Sequence, residues 1–152
     1  MKFFDDFRML RSLCILVFSF LFAGLLSGQS FRFKNYGPGE NLPSNVIYSI
    51  NQDRNGYLWV GTTEGISRFD GFDFSGVAFP DSAFSRYPSC SLRDSAGRLW
   101  FGCNDGTLFW SDGSSLNQVV VSNSSAISCL VQGPDGSIYA VPQRKAIFRI
   151  NP

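Results

Sequence analysis

Histidine is missing from all 152 residues. Without an imidazole the chain can host no Ser–His–Asp triad, no histidine-ligated metal and no phospho-accepting histidine. Charge is scarce too: Asp, Glu, Lys and Arg make up 16% against the usual quarter, with a formal net charge of +1. A nucleic-acid binder needs a basic face to neutralise phosphates, so that class is set aside. Cysteine is sparse, at four residues, and none fall in the paired close spacing of a structural zinc site. Beyond residue 30 no segment keeps a 3.6-residue apolar rhythm, which removes long amphipathic helices. What is abundant is glycine (15 residues) and phenylalanine (16 residues), in a chain that is 44% hydrophobic. That is too apolar for disorder and sufficient for a packed core.

The one long hydrophobic run lies at the start. Leu13–Leu26 is 14 residues of almost purely apolar character, preceded by Lys2, Arg8 and Arg11 and followed by Ser27, Gly28 and Ser30. A basic leader, a short apolar stretch and small residues at its end describe a secretory signal peptide over residues 1–30, cleaved between Gly28 and Phe31. The alternative, an uncleaved anchor, needs roughly 20 apolar residues to span a bilayer. No cysteine stands at the boundary to carry a lipid. Removing 1–30 leaves ten basic and ten acidic residues, an electrically neutral body.

That body, residues 31–152, repeats itself. Asp53–Gly65 (DRNGYLWVGTTEG) and Asp94–Gly106 (DSAGRLWFGCNDG) align at an offset of 41, with Asp, Gly, Leu, Trp and Gly in matching places. One residue is inserted before the closing pairs Asp70-Gly71 and Asp112-Gly113. A third, degenerate copy begins at Ile127 with an offset of 39; Tyr139 takes the tryptophan position and two glycine positions are lost. Each copy reads as short alternating strands between turn signals, Val46–Gln52, Tyr57–Thr62, Gly65–Phe69 and Phe72–Phe79 in the first. Four antiparallel strands in about 40 residues is the period of a propeller blade. The expected fold is therefore all-β: a partial β-propeller of about three four-stranded antiparallel blades after an N-terminal signal peptide helix. Blade 1 is placed at 42–80, blade 2 at 84–122 and a partial blade 3 at 125–152.

Turn chemistry sets the strand register. Pro134-Asp135-Gly136 suits a type I turn followed by a left-handed glycine, and Asp53 and Asp94 begin the same turn with carboxylates bonding turn amides. That loop pairs Ile50 with Val60 and Leu92 with Trp100. A two-residue loop would pair Ile50 with Gly61 and pack worse.

Residues Asn41–Phe74 (NLPSNVIYSINQDRNGYLWVGTTEGISRFDGFDF) resemble the two-component-regulator propeller repeat. Its pattern is Leu-Pro/Ser-Ser-Asn, a strand, Asp-x-x-Gly-x-Leu-Trp-hydrophobic-Gly-Thr, then Gly-hydrophobic-x-x-Phe-Asp-Gly. The second copy matches at Asp94–Gly102 and departs at Cys103 and at Trp110-Ser111. The resemblance implies the exported, periplasmic sensor of a bacterial hybrid two-component system, tethered to the inner membrane in a longer parent. It implies a small-molecule or glycan ligand, further blades, downstream signalling domains, and a homodimer of that parent. The chain is expected to be the front end of such a sensor, with no kinase activity of its own. A structural or adhesive exported propeller is the alternative, and a streptogramin-lyase-like propeller enzyme a more distant one, since that chemistry is expected to use histidine.

Individual residues support few sites. Trp59 and Trp100 could stack on sugar rings, but a tryptophan recurring in a recurring strand is expected to pack between blades. Trp110, outside that register, is more open to a functional role. The Asp-Gly and Asn-Gly pairs lack the alternating oxygens and distal glutamate of a calcium loop, and serve turns instead. Asn123-Ser124-Ser125 is a glycosylation sequon of consequence only in a eukaryotic secretory route. In the chosen register Cys90 faces Gly102, so a Cys90–Cys103 disulfide would refute that register. Cys90 and Cys129 occupy equivalent places and are expected to act as small core residues. No catalytic, metal or cofactor residues are assigned. Loop segments 80–88 and 111–115 are ligand candidates by exposure alone.

Overall fold

The computed structural model describes residues 11, 13, 15–18, 31–80, 83, 87–119 and 125–151. The chain divides into two units, 1–34 and 35–152. In the first, residues 15–18 are helical and carry exposed apolar side chains. The expected signal peptide falls mostly outside the described residues. Among those described, no helix is long and apolar enough to cross a membrane.

The second unit is built of antiparallel strands, introduced by one 3₁₀ turn at Pro38–Glu40. The first sheet runs β1 (Ile47–Gln52), β2 (Leu58–Thr62), β3 (Gly65–Phe69), β4 (Phe74–Gly76) in spatial order 1-2-3-4. The second repeats that meander with β5 (Pro88–Arg93), β6 (Leu99–Cys103), β7 (Leu108–Ser111) and β8 (Asn117–Val119). The third contains β9 (Ile127–Gln132), β10 (Ile138–Pro142) and β11 (Phe148–Ile150), three strands among the described residues against the four of a full blade. The repeated sequence units are repeated sheets, as a blade architecture requires.

Register follows the turns. Ile50 lies opposite Val60, Leu92 opposite Trp100 and Cys90 opposite Gly102. The amide of Asp53 donates to Tyr57 O at 2.9 Å, that of Asp94 to Arg98 O at 2.9 Å, and that of Gly133 to Ser137 O at 2.8 Å. Each hairpin closes through a glycine, Gly56, Gly97 or Gly136, at φ +92°, +82° and +83°. A side chain would be strained there, which is why these glycines recur while neighbouring turn residues vary. All three hairpins also carry the same β-bulge, at 47–49, 88–90 and 127–129, which the alternating pattern did not foretell.

Two apolar layers join the sheets. Trp59 and Ile66 of the first sheet pack with Leu99, Phe101, Cys103 and Phe109 of the second. Trp100 and Leu108, on the opposite face of the second sheet, pack with Ile127, Leu130, Ile138 and Ala140 of the third. Period-2 alternation along β6 thus sends Leu99, Phe101 and Cys103 one way and Trp100 the other. A strand hydrophobic at every position is the signature of burial on both faces.

Candidate functional site

Trp59 and Trp100 are 1% and 2% exposed, so neither offers a ring face to a sugar. Each indole donates Nε1–H to an aspartate six residues earlier: Trp59 to Asp53 Oδ2 and Trp100 to Asp94 Oδ2, both at 2.9 Å. The other carboxylate oxygen of Asp53 accepts from the amides of Asn55 (2.8 Å) and Tyr57 (3.0 Å). Asp94 Oδ1 accepts from the Arg98 amide at 2.8 Å, and its Oδ2 also takes the Arg98 guanidinium at 2.7 Å. One buried carboxylate therefore closes the turn and anchors the inter-sheet tryptophan. Burial pushes the Asp94 carboxyl up; the Trp100 indole, the Arg98 amide and the Arg98 guanidinium outweigh it and hold it below its ordinary value.

The third repeat lacks both partners. Gly133 stands where the aspartate belongs and Tyr139 where the tryptophan belongs. A Cβ on Gly133 would lie 2.8 Å from the Tyr139 ring and 2.9 Å from Asp135 Oδ1. The turn is held instead by Asp135, which accepts from the Ser137 amide (3.1 Å) and pairs with Arg149 (2.6 Å). The coupling of Asp to Trp escaped sequence reasoning, which treated the aspartates as turn formers and the tryptophans as packing. The signal was their simultaneous loss in the third copy.

The remaining residues singled out by sequence divide clearly. Trp110 lies opposite Trp100 on β7, ring centroids 6.3 Å apart, and packs half-buried against the second apolar layer. The Asp-Gly pairs are turns: Asp70 Oδ1 accepts from the Phe72 and Asp73 amides and Asp112 Oδ1 from Ser114. Amide donors from Asp73 and Phe72 lower the Asp70 carboxyl, and the Ser114 hydroxyl and amide lower that of Asp112. Among the described residues no group of His, Cys, Asp and Glu could hold a metal ion. The sequon residues Asn123 and Ser124 lie outside the described residues.

Cys90, Cys103 and Cys129 are free thiols. Burial raises Cys90 to about 11 and raises Cys103 still further, so neither is a nucleophile at neutral pH. Cys129 corrects the expectation of a core role: it is exposed. Its equivalent Cys90 is covered by Ile127 of the next sheet, whose carbonyl lies 3.4 Å from the Sγ; among the described residues no sheet stands beyond the third.

Of loop 80–88, residues 81, 82 and 84–86 lie outside the described set, and Pro88 is buried. In 111–115 Ser111 is buried and Asp112, Ser114 and Ser115 are exposed. Ser114 and Ser115 line a cavity of about 200 Å³ together with Arg68, Ser75 and a narrow edge of Trp59. A second, wider depression of about 430 Å³ lies among Arg98, Ser137, Arg149 and Asn151. Its cations are already engaged, Arg98 by Asp94 and Arg149 by Asp135.

Residues 41–64 match the family described as the two component regulator propeller. Histidine kinase P4 of Formosa agariphila is 41% identical over 61 residues, which is 40% of this chain and 4% of that protein. Among solved structures, the extracellular domain of the B. thetaiotaomicron hybrid two component system BT3049 superposes with a TM-score of 0.62 at 18% identity, covering 76% of this chain and 17% of that one. The virginiamycin B lyase of Staphylococcus aureus superposes with a TM-score of 0.59 at 20% identity, covering 70% and 38%. The chain thus spans a small part of each relative, and the structural likenesses speak to fold alone. The chain thus folds as blades of a β-propeller, and within it residues 41–64 match the two component regulator propeller repeat.

Proposed function

We propose that the chain contributes blades to the exported sensory propeller of a bacterial two-component regulator. The observation that carries this reading is the match of residues 41–64 to the repeat, beside 41% identity over 61 residues with a histidine kinase. The blades themselves are scaffold: their buried groups are spent on turns and inter-sheet packing. Recognition then belongs to the inter-strand loops at one end of the sheets, where a small molecule, a glycan or a partner domain would bind. Occupancy would alter propeller or dimer geometry and, through a longer parent, the output of a cytoplasmic kinase. The N-terminal apolar run would direct export.

The lyase fold neighbours supply a second reading only at the level of fold. One such lyase is described as catalytically inactive when a single histidine is replaced by alanine, and this chain has no histidine.

Two measurements test the proposal. Material recovered from the periplasm after expression of the full chain is expected to begin between residues 28 and 31. A panel of oligosaccharides and small metabolites is then screened by thermal unfolding. At least one class should raise Tm in a concentration-dependent way, as binding to the native state alone must. Cytoplasmic retention with an intact N-terminus, no stabilising ligand in the panel, or turnover of a streptogramin would overturn it.

A further inference from the structure

The two inter-sheet contacts are built by one recurring device. In β2, Gly61 lies opposite Ser49, and a Cβ there would stand 2.6 Å from Ser49 Oγ and 2.9 Å from Cγ of Pro88, the residue that enters the next sheet. In β6, Gly102 lies opposite Cys90, and a Cβ there would stand 2.6 Å from Cγ2 of Ile127, again the entry residue of the next sheet. Glycine in the second strand is therefore the niche into which the following blade inserts its first residue. A hydroxyl reinforces the second contact: Ser89 Oγ reaches both Gly102 O (3.0 Å) and Ile127 O (2.5 Å).

The third sheet keeps part of this device and changes the rest. Ser128 matches Ser89, and its Oγ donates to Val141 O at 2.9 Å while remaining exposed. Cys129 matches Cys90 and is exposed opposite Val141. Val141, however, occupies the glycine place, and Tyr139 and Val131 flank it on the same face, Val131 being 50% exposed. The face is apolar and partly open, and it is the third sheet's equivalent of the faces of the first two sheets that receive the next sheet. Its niche is filled by its own side chain.

Resting on the propeller reading above, in which a further blade follows the third, we propose that Val141 restricts that blade to one whose entry residue is glycine or alanine. A second copy of this chain does not qualify. Its own entry residue is Ile47, the counterpart of Pro88 and Ile127; since Ile127 Cγ2 would stand 2.6 Å from a Cβ at Gly102, a branched side chain has no room in the same place beside Val141. The remaining selectivity is steric, because the bulge hydroxyl and the flanking aromatic are retained.

The full chain is extended past Pro152 by a copy of its own residues 84–122 whose two cysteines are changed to alanine, carrying at the entry place either the native proline or the change Pro88→Gly. Maleimide labelling of Cys129 is followed by peptide mass spectrometry, with protection of Cys103 reporting that the first two blades are folded. The glycine-entry extension is expected to slow Cys129 labelling by roughly tenfold or more, as closure of an exposed face does. The proline-entry extension should leave it fast, and should protect only when combined with Val141→Gly. Equal protection by both extensions on the Val141 chain, protection by neither, or concentration-dependent dimerisation of the unextended chain that shields Cys129 would each overturn the proposal.

Discussion

Replacing Asp94 by alanine removes one carboxylate that serves three donors: the Arg98 amide at 2.8 Å, the Arg98 guanidinium at 2.7 Å and the Trp100 indole at 2.9 Å. The carboxylate is fully buried and Arg98 is about a quarter exposed. The ion pair is therefore only partly screened. Losing a charged acceptor to buried donors costs about 1.5–3 kcal/mol, and an indole N–H left unpaired in the apolar layer adds to it, so Asp94→Ala should cost about 3 kcal/mol. With a urea m-value of about 2 kcal/mol/M, the midpoint should fall by roughly 1.5 M. Trp100→Phe removes the N–H and some ring area and should cost about 2 kcal/mol. In the double variant the orphaned indole is gone, so the two losses should total less than their sum by about 1–2 kcal/mol. Urea unfolding of the full chain and both single and double variants, followed by tryptophan fluorescence and far-UV circular dichroism, completes the cycle. Additivity within about 0.5 kcal/mol would refute the reasoning, for independent sites add that closely.

Gly102→Ala should destabilise by about 1–3 kcal/mol through overpacking against Ile127, and Ile127→Ala should recover part of that loss, both read from thermal unfolding. Acid should weaken the fold through Asp94. Its folded carboxyl lies below the ordinary value, so its contribution is present above about pH 4 and is lost as pH falls through the folded value; Asp94→Ala should flatten that limb of the stability–pH curve. Gly133→Asp alone should destabilise the third sheet, since the new side chain meets the Tyr139 ring, whereas Gly133→Asp with Tyr139→Trp should be milder; hydrogen exchange of β9 and β10 separates the two.

Much of the architecture was legible because a 41-residue repeat can bury its apolar strands only against its neighbours. The register was legible for a local reason: Asp53, Asp94 and Pro134 dictate their own turns, and turn length sets which residues face each other. The bulges at Tyr48, Ser89 and Ser128 were not, because an extra residue in one strand leaves the alternation on either side intact. Cys129 was misplaced for a different cause. Repeat position predicts which way a side chain points, and whether anything covers it depends on the next sheet. The Asp–Trp bond was hidden because each residue had a sufficient separate explanation.

The third repeat, degenerate by pattern, is coherent by contact. Its aspartate and tryptophan are lost together, and the vacated space at Gly133 is occupied by the Tyr139 ring. Its turn passes to Asp135, two residues beyond the earlier aspartate position, and to Arg149. Its niche glycine becomes Val141 while the bulge serine and its bond to that strand persist. A sheet drifting free of constraint would be expected to lose these features one at a time, leaving a buried indole unpaired or an empty notch beneath an unmatched side chain. Here the joint loss of aspartate and tryptophan is matched by compensating contacts. The place to look for specificity in such a propeller is therefore the junction where the repeat departs from its own rule.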